Sequence, residues 1–69
     1  MTMESRLTAA RLLLTVPEAA AVLAISRSKL YELLASGALE SVRIGGSRRI
    51  PVTSLEAYVA TLLIRREVA

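Results

Sequence analysis

Between Thr15 and Gly37 the sequence TVPEAAAVLAISRSKLYELLASG carries its own punctuation, and that leaves little freedom in how it folds. Thr15 is a favourable N-cap, and Glu18 three residues later completes a Thr-x-x-Glu capping box. Pro17 lies in the first turn, where its missing N–H breaks no helical bond. A first helix is therefore expected over about Val16–Leu23, with Val22 and Leu23 inward and the small Ala19–Ala21 run allowing close approach. Ala24-Ile25-Ser26 is the turn. Ser26 caps a second helix over about Arg27–Ser36, and Gly37 supplies a left-handed stop. Leu30, Leu33 and Leu34 fall at i, i+3, i+4 and form the buried stripe of that helix. Arg27, Ser28, Tyr31, Glu32 and Ala35 lie off the stripe and face outward.

A β-hairpin follows. Ser41–Ile44 reads as a strand, Gly45-Gly46-Ser47 as the turn and Arg48–Ile50 as the return strand. If Val42, Ile44 and Ile50 share the core face, residue 42 pairs with 50 across a three-residue loop. Arg43 then stands opposite Arg49 on the outer face, a like-charge pair that is destabilising unless an anion lies between them. A two-residue Gly-Gly loop competes, but by this parity it would put Ile50 on the wrong face. Thr53-Ser54-Leu55-Glu56 is a second Thr-x-x-Glu box, so a third helix is expected to start there. Its apolar face, Leu55, Val59, Leu62 and Leu63, is expected to close over the core. The predicted fold is mainly α with a small β-hairpin, in the order helix-turn-helix, wing, helix. Residues 1–11 form a flexible leader in which Arg6 and Arg11 can reach a ligand, 12–64 the domain, and 65–69 a frayed end.

At 69 residues there is room for one domain with a small core. Cysteine and histidine are both absent, which excludes disulfides, Cys/His zinc sites and thiol chemistry. Nine basic residues against six glutamates give a net charge of +3. Arg27, Lys29, Arg43, Arg48 and Arg49 are clustered against only Glu32 and Glu40, and that clustering favours a polyanion partner. Leu12–Ile25 is apolar but too short to span a bilayer, and Glu4, Arg11 and Glu18 interrupt any signal-peptide core. A cytoplasmic protein is expected. Gly45-Gly46 lacks the Gly-x-x-x-x-Gly-Lys pattern of a phosphate loop. Ser26-Arg27-Ser28-Lys29 matches a Ser-x-x-Lys acylation signature by letters alone, with its partner motifs missing. No catalytic residue, cofactor, metal or small-molecule ligand is therefore expected.

Several of these pieces occur together in one known family. They are Thr15-Val16-Pro17-Glu18-Ala19-Ala20, Ser26 with Tyr31, Gly37-Ala38-Leu39, the Arg43-Ile44-Gly45-Gly46-Ser47-Arg48-Arg49-Ile50 hairpin, and Leu55-Glu56-Ala57-Tyr58. In this order and spacing the chain, over about Leu13–Leu63, resembles the excisionase-family winged helix-turn-helix domain, a small relative of the MerR-type winged helix. The resemblance implies site-directed binding to double-stranded DNA without catalysis. By position, Arg27, Ser28, Lys29, Tyr31 and Glu32 would form the recognition-helix surface. Arg27 or Lys29 can read guanine O6/N7 in the major groove, and Glu32 can accept from cytosine N4. Arg43, Ser47, Arg48 and Arg49 would form the DNA-contacting wing, on phosphates or in the minor groove. The resemblance further implies a recombination directionality factor that bends attachment-site DNA and steers a partner integrase toward excision, with cooperative self-association along the DNA. A small winged helix-turn-helix transcription regulator is the alternative.

Overall fold

The computed structural model describes residues 11–68, with side chains as far as Arg65. The order is β1 (Leu13–Leu14), α1 (Val16–Leu23), α2 (Arg27–Ser36), β2 (Val42–Ile44), β3 (Ser47–Pro51) and α3 (Val52–Val68). It is mainly helical with a small antiparallel wing, as expected from the sequence.

Both helix-turn-helix elements begin and end where their caps put them. The Glu18 N–H donates to Thr15 Oγ1 at 3.3 Å, and the Thr15 N–H donates to Glu18 Oε1 at 2.9 Å, closing the capping box at α1. Ser26 Oγ accepts from the Lys29 N–H at 3.1 Å at the head of α2. Gly37 ends α2 at φ +83°, with its N–H donating to the Leu34 carbonyl. The intervening turn holds a surprise. Ala24, a residue with a Cβ, adopts φ +58°, a left-handed conformation that costs about 1–2 kcal/mol in an L-residue. Its backbone N–H donates to the carbonyls of Ala20 and Ala21, so the strained residue closes α1.

Leu13–Leu14 was not expected to be a strand. It pairs antiparallel with β3, Leu13 opposite Pro51 and Leu14 opposite Ile50, giving a three-stranded sheet in the order β1-β3-β2. β3 is thus the central strand, and Ile50 is fully buried. The core joins Leu14, Val16, Ala19, Ala20, Leu30, Leu39, Ile50 and Leu55, with Leu33, Leu34 and Tyr58 packed at its edge. Leu30 is the single fully buried residue of α2, and Leu33 and Leu34 pack half-buried beside it.

Three expectations are corrected. Val22 points outward, and α1 buries Val16, Ala19 and Ala20 instead. α3 begins at Val52, directly after β3, so the Thr53-x-x-Glu56 box lies inside the helix rather than at its cap. Only Leu55 of the apolar face on α3 is buried; Val59, Leu62 and Leu63 are exposed. α3 runs to Val68.

Candidate nucleic-acid interface

The hairpin register differs from the expected one by one residue. Val42 pairs with Arg49, Arg43 with Arg48, and Ile44 with Ser47, which leaves a two-residue Gly45-Gly46 loop. Gly45 has φ +62° and Gly46 has no positive φ. Positive φ at the first central residue alone is the pattern of a type II′ turn, whose twist matches that of the flanking strands. The expectation failed because it assumed a core for Val42 and Ile44 to enter. They are 41% and 60% exposed, since the hairpin projects beyond the packed end of β3. Ile50 is held in the core from its other side, by Leu14 of β1, so the loop does not decide its face.

Like charges nonetheless remain opposed. Arg43 faces Arg48 in place of Arg49, because the sequence carries two consecutive arginines and a one-residue slip substitutes one for the other. Directly opposite residues project to the same face, so Arg43 and Arg48 lie on the face that carries Ile50. Arg49 stands on the opposite face with Val42, Ile44 and Ser47, and its guanidinium donates to the Arg48 carbonyl at 2.8 Å. Arg48 is half-buried, and its Nε is buried without a hydrogen-bond partner. Among the described residues no carboxylate lies within ion-pair distance of Arg43, Arg48 or Arg49.

On α2, Arg27, Ser28, Lys29, Tyr31 and Glu32 are all exposed, with Tyr31 52% accessible. Burying residue 30 turns 28, 31 and 32 away from the core, whereas Arg27, three residues before Leu30 on the same side of the helix, is exposed as the first residue of α2. Lys29 Nζ lies 3.6 Å from Glu32 Oε1, an exposed i, i+3 pair of little energetic weight. Ser47 is exposed at the wing.

Arg11 is tied to the domain by an ion pair with Glu18. Its companion in the leader, Arg6, lies outside the described residues. The Glu18 carboxyl is held below its ordinary value, chiefly by the Thr15 backbone N–H, with the Thr15 hydroxyl and Arg11 adding to the effect. Glu18 is thus a structural group of the helix cap. Among the described residues no cluster of acidic or metal-ligating side chains could hold a metal ion, and no helix is long and apolar enough to cross a membrane.

Comparison with known proteins places this geometry. The helix-turn-helix domain family matches residues 13–62. A protein named "Probable excisionase" from Saccharopolyspora erythraea is 52% identical over 59 residues, covering 86% of this chain and 60% of that protein. A protein named "Excisionase" from Streptomyces ambofaciens is 43% identical over 47 residues, covering 68% of this chain and 76% of that one. The chain thus spans about three fifths of the length of the first relative and about three quarters of the second. No solved structure gives a significant match. The matched residues run from β1 through the helix-turn-helix and wing into α3, and on that ground the chain belongs to the excisionase family of helix-turn-helix, non-enzymatic DNA-binding proteins.

Proposed function

We propose that the chain is an excisionase that binds specific sites in attachment-site DNA, bends the duplex and steers a partner integrase toward excision in the cytoplasm. Its recognition surface is Arg27, Ser28, Lys29, Tyr31 and Glu32 on α2, and its backbone-gripping surface is Arg43, Ser47, Arg48 and Arg49 on the wing. The observation that carries this reading is the opposition of Arg43 and Arg48 across the hairpin ladder with no carboxylate beside them among the described residues. Two guanidiniums on neighbouring strands repel, and a phosphate placed between them converts the repulsion into two charge-assisted hydrogen bonds.

In this arrangement the leading end of α2 enters the major groove. Arg27 pairs with guanine O6/N7, and Lys29 serves as a second cation beside it. The wing arginines add affinity without reading sequence. Arg49, on the other face of the hairpin, is suited to a neighbouring phosphate or a narrow minor groove. Bending widens the contact of so small a domain with DNA, and its deformation cost would be offset by those extra contacts.

The test is a fluorescence titration of specific and random duplexes over a range of salt. With about five basic contacts, log K should fall with log salt at a slope of roughly −4 to −5. Arg43→Ala or Arg48→Ala should each reduce the slope by about 0.9 on both duplexes. Arg27→Ala should also narrow the gap between the two duplexes by about 1–3 kcal/mol. End-labelled duplexes report the bend by energy transfer, and addition of the integrase reports excision. Equal salt slopes for wild type and both wing variants would remove the wing from the interface. Tight binding that leaves an integrase reaction unaffected would favour the regulator reading.

A further inference from the structure

We infer that Ile44 is the wedge by which this chain kinks DNA: the wing enters the minor groove tip first, and Ile44 parts a base step there. This rests on the proposed grip of the wing on a duplex and names the residue that supplies the bend.

The wing tip is slim and apolar. Ile44 and Ser47 face each other beside the Gly45-Gly46 turn. Neither glycine carries a side chain, and a Cβ built on either meets nothing within 4 Å, so the apex is bare. Ile44 is therefore the foremost apolar side chain of the wing, and it is 60% exposed. Val42 lies two residues behind it on the same face, also exposed. Neither belongs to the core or packs against its edge. Single exposed aliphatics are ordinary on a protein surface, but here two adjoin on a projecting hairpin among three arginines.

The charges around this strip select its occupant. Arg43 and Arg48 project from one face of the hairpin, and Arg49 from the face that carries Val42 and Ile44. Among the described residues none of the three has a carboxylate within ion-pair distance. An apolar protein surface closing over the strip would strip water from guanidiniums and give nothing back. The minor groove meets both demands. Its two phosphate rows match cations on the two faces of the hairpin, and its sugar walls and base edges receive the aliphatic tip. The groove is only about 6 Å wide, which suits a bare glycine apex. Ser47, opposite Ile44, has a hydroxyl suited to the adenine N3 and thymine O2 acceptors on the groove floor. Aliphatic side chains that wedge into a base step from this side kink the duplex by about 20–90° toward the major groove.

The test uses the full chain on an attachment-site duplex labelled at both ends for energy transfer and carrying 2-aminopurine at successive adenines. Wild type should increase energy transfer and raise 2-aminopurine emission at one step, where the base unstacks. Ile44→Thr keeps the β-branched shape but puts a hydroxyl on the wedge, and it should lose the emission rise and most of the change in transfer. Its urea midpoint should match wild type because the site is exposed, and its salt slope should match because no charge is removed. Ile44→Leu, an apolar wedge of the same volume, should retain both optical signals. A bend and emission rise that survive Ile44→Thr would overturn the inference, as would a straight, fully stacked duplex under wild type. Loss of integrase-driven excision in Ile44→Thr with the bend intact would overturn it in favour of a protein partner at the tip. Equal salt slopes for wild type, Arg43→Ala and Arg48→Ala would remove the wing from DNA and the wedge with it. A normal loss of slope in those two variants, with the bend untouched by Ile44→Thr, would sink the wedge alone.

Discussion

Replacing each glycine of the wing turn by alanine tests the hairpin register. Gly45 has φ +62°, and a Cβ built there meets nothing within 4 Å; the same open space surrounds Gly46, which has no positive φ. Sterics with neighbours therefore drop out of the comparison. Each substitution stiffens the unfolded chain, a gain of about 0.4–1 kcal/mol common to both variants. Only Gly45→Ala also forces an L-residue into left-handed backbone, at about 1–2 kcal/mol. Gly45→Ala should thus lie about 1–2 kcal/mol below Gly46→Ala, with the unfolded-state contribution cancelling. In urea, where a domain of this size has a slope near 1 kcal/mol/M, the two midpoints should separate by about 1–2 M. Circular dichroism at helix wavelengths follows both transitions. A three-residue loop built on a type I turn would instead place the left-handed residue last, at Ser47, and treat the two glycines alike. If Gly45→Ala proves no costlier than Gly46→Ala, the two-residue turn and the Arg43–Arg48 pairing are wrong.

Leu30→Ala should cost about 3–5 kcal/mol in the same denaturation assay, because it empties the fully buried centre of α2. Leu34→Ala, at the edge of the core, should cost clearly less, and equal losses would refute Leu30 as the principal anchor of α2. Ala24→Gly should be neutral or raise stability by up to about 1 kcal/mol, as relief of left-handed strain competes with a looser unfolded chain; a marked loss would show that Ala24 does not hold φ +58°. The lowered Glu18 pKa means a contribution to stability that is present above the unfolded value near 4.5 and lost as pH falls through the lower folded value. Wild type should therefore lose stability through that acid window more steeply than Glu18→Gln, and parallel pH profiles would exclude the carboxylate as the source.

What the sequence revealed divides by how local the determining contacts are. The bounds of α1 and α2 follow from Thr15, Glu18, Ser26 and Gly37, each acting within a few residues of its own position. The outward placement of Ser28, Tyr31 and Glu32 on α2 follows equally from the Leu30 stripe. β1 was invisible because two leucines become a strand only through Ile50 and Pro51, far along the chain. The register departs from hydrophobic parity because parity is informative only where a core exists, and Val42 and Ile44 have none. The same limit applies to α3, whose apolar stripe predicts burial over its whole length although the packed body ends near Tyr58. The wing arginines survived as candidates because the error exchanged Arg49 for its neighbour Arg48.

Pro51 is the last residue of β3 and Val52 the first of α3, with nothing between them. The long helix is therefore mounted on the hairpin like a pointer on a shaft, and the Val52 N–H, donating to the Leu12 carbonyl, ties its first residue to the chain beside β1. If the wing grips a duplex as proposed, the compass bearing of α3 around the DNA axis is dictated by which base pair the wing occupies. B-DNA turns once in about 10–10.5 base pairs, so moving a binding site by about five swings α3 to the far side of the duplex, and moving it by about ten restores it. Any assembly that uses this helix should tolerate whole-turn insertions between sites and fail at half turns.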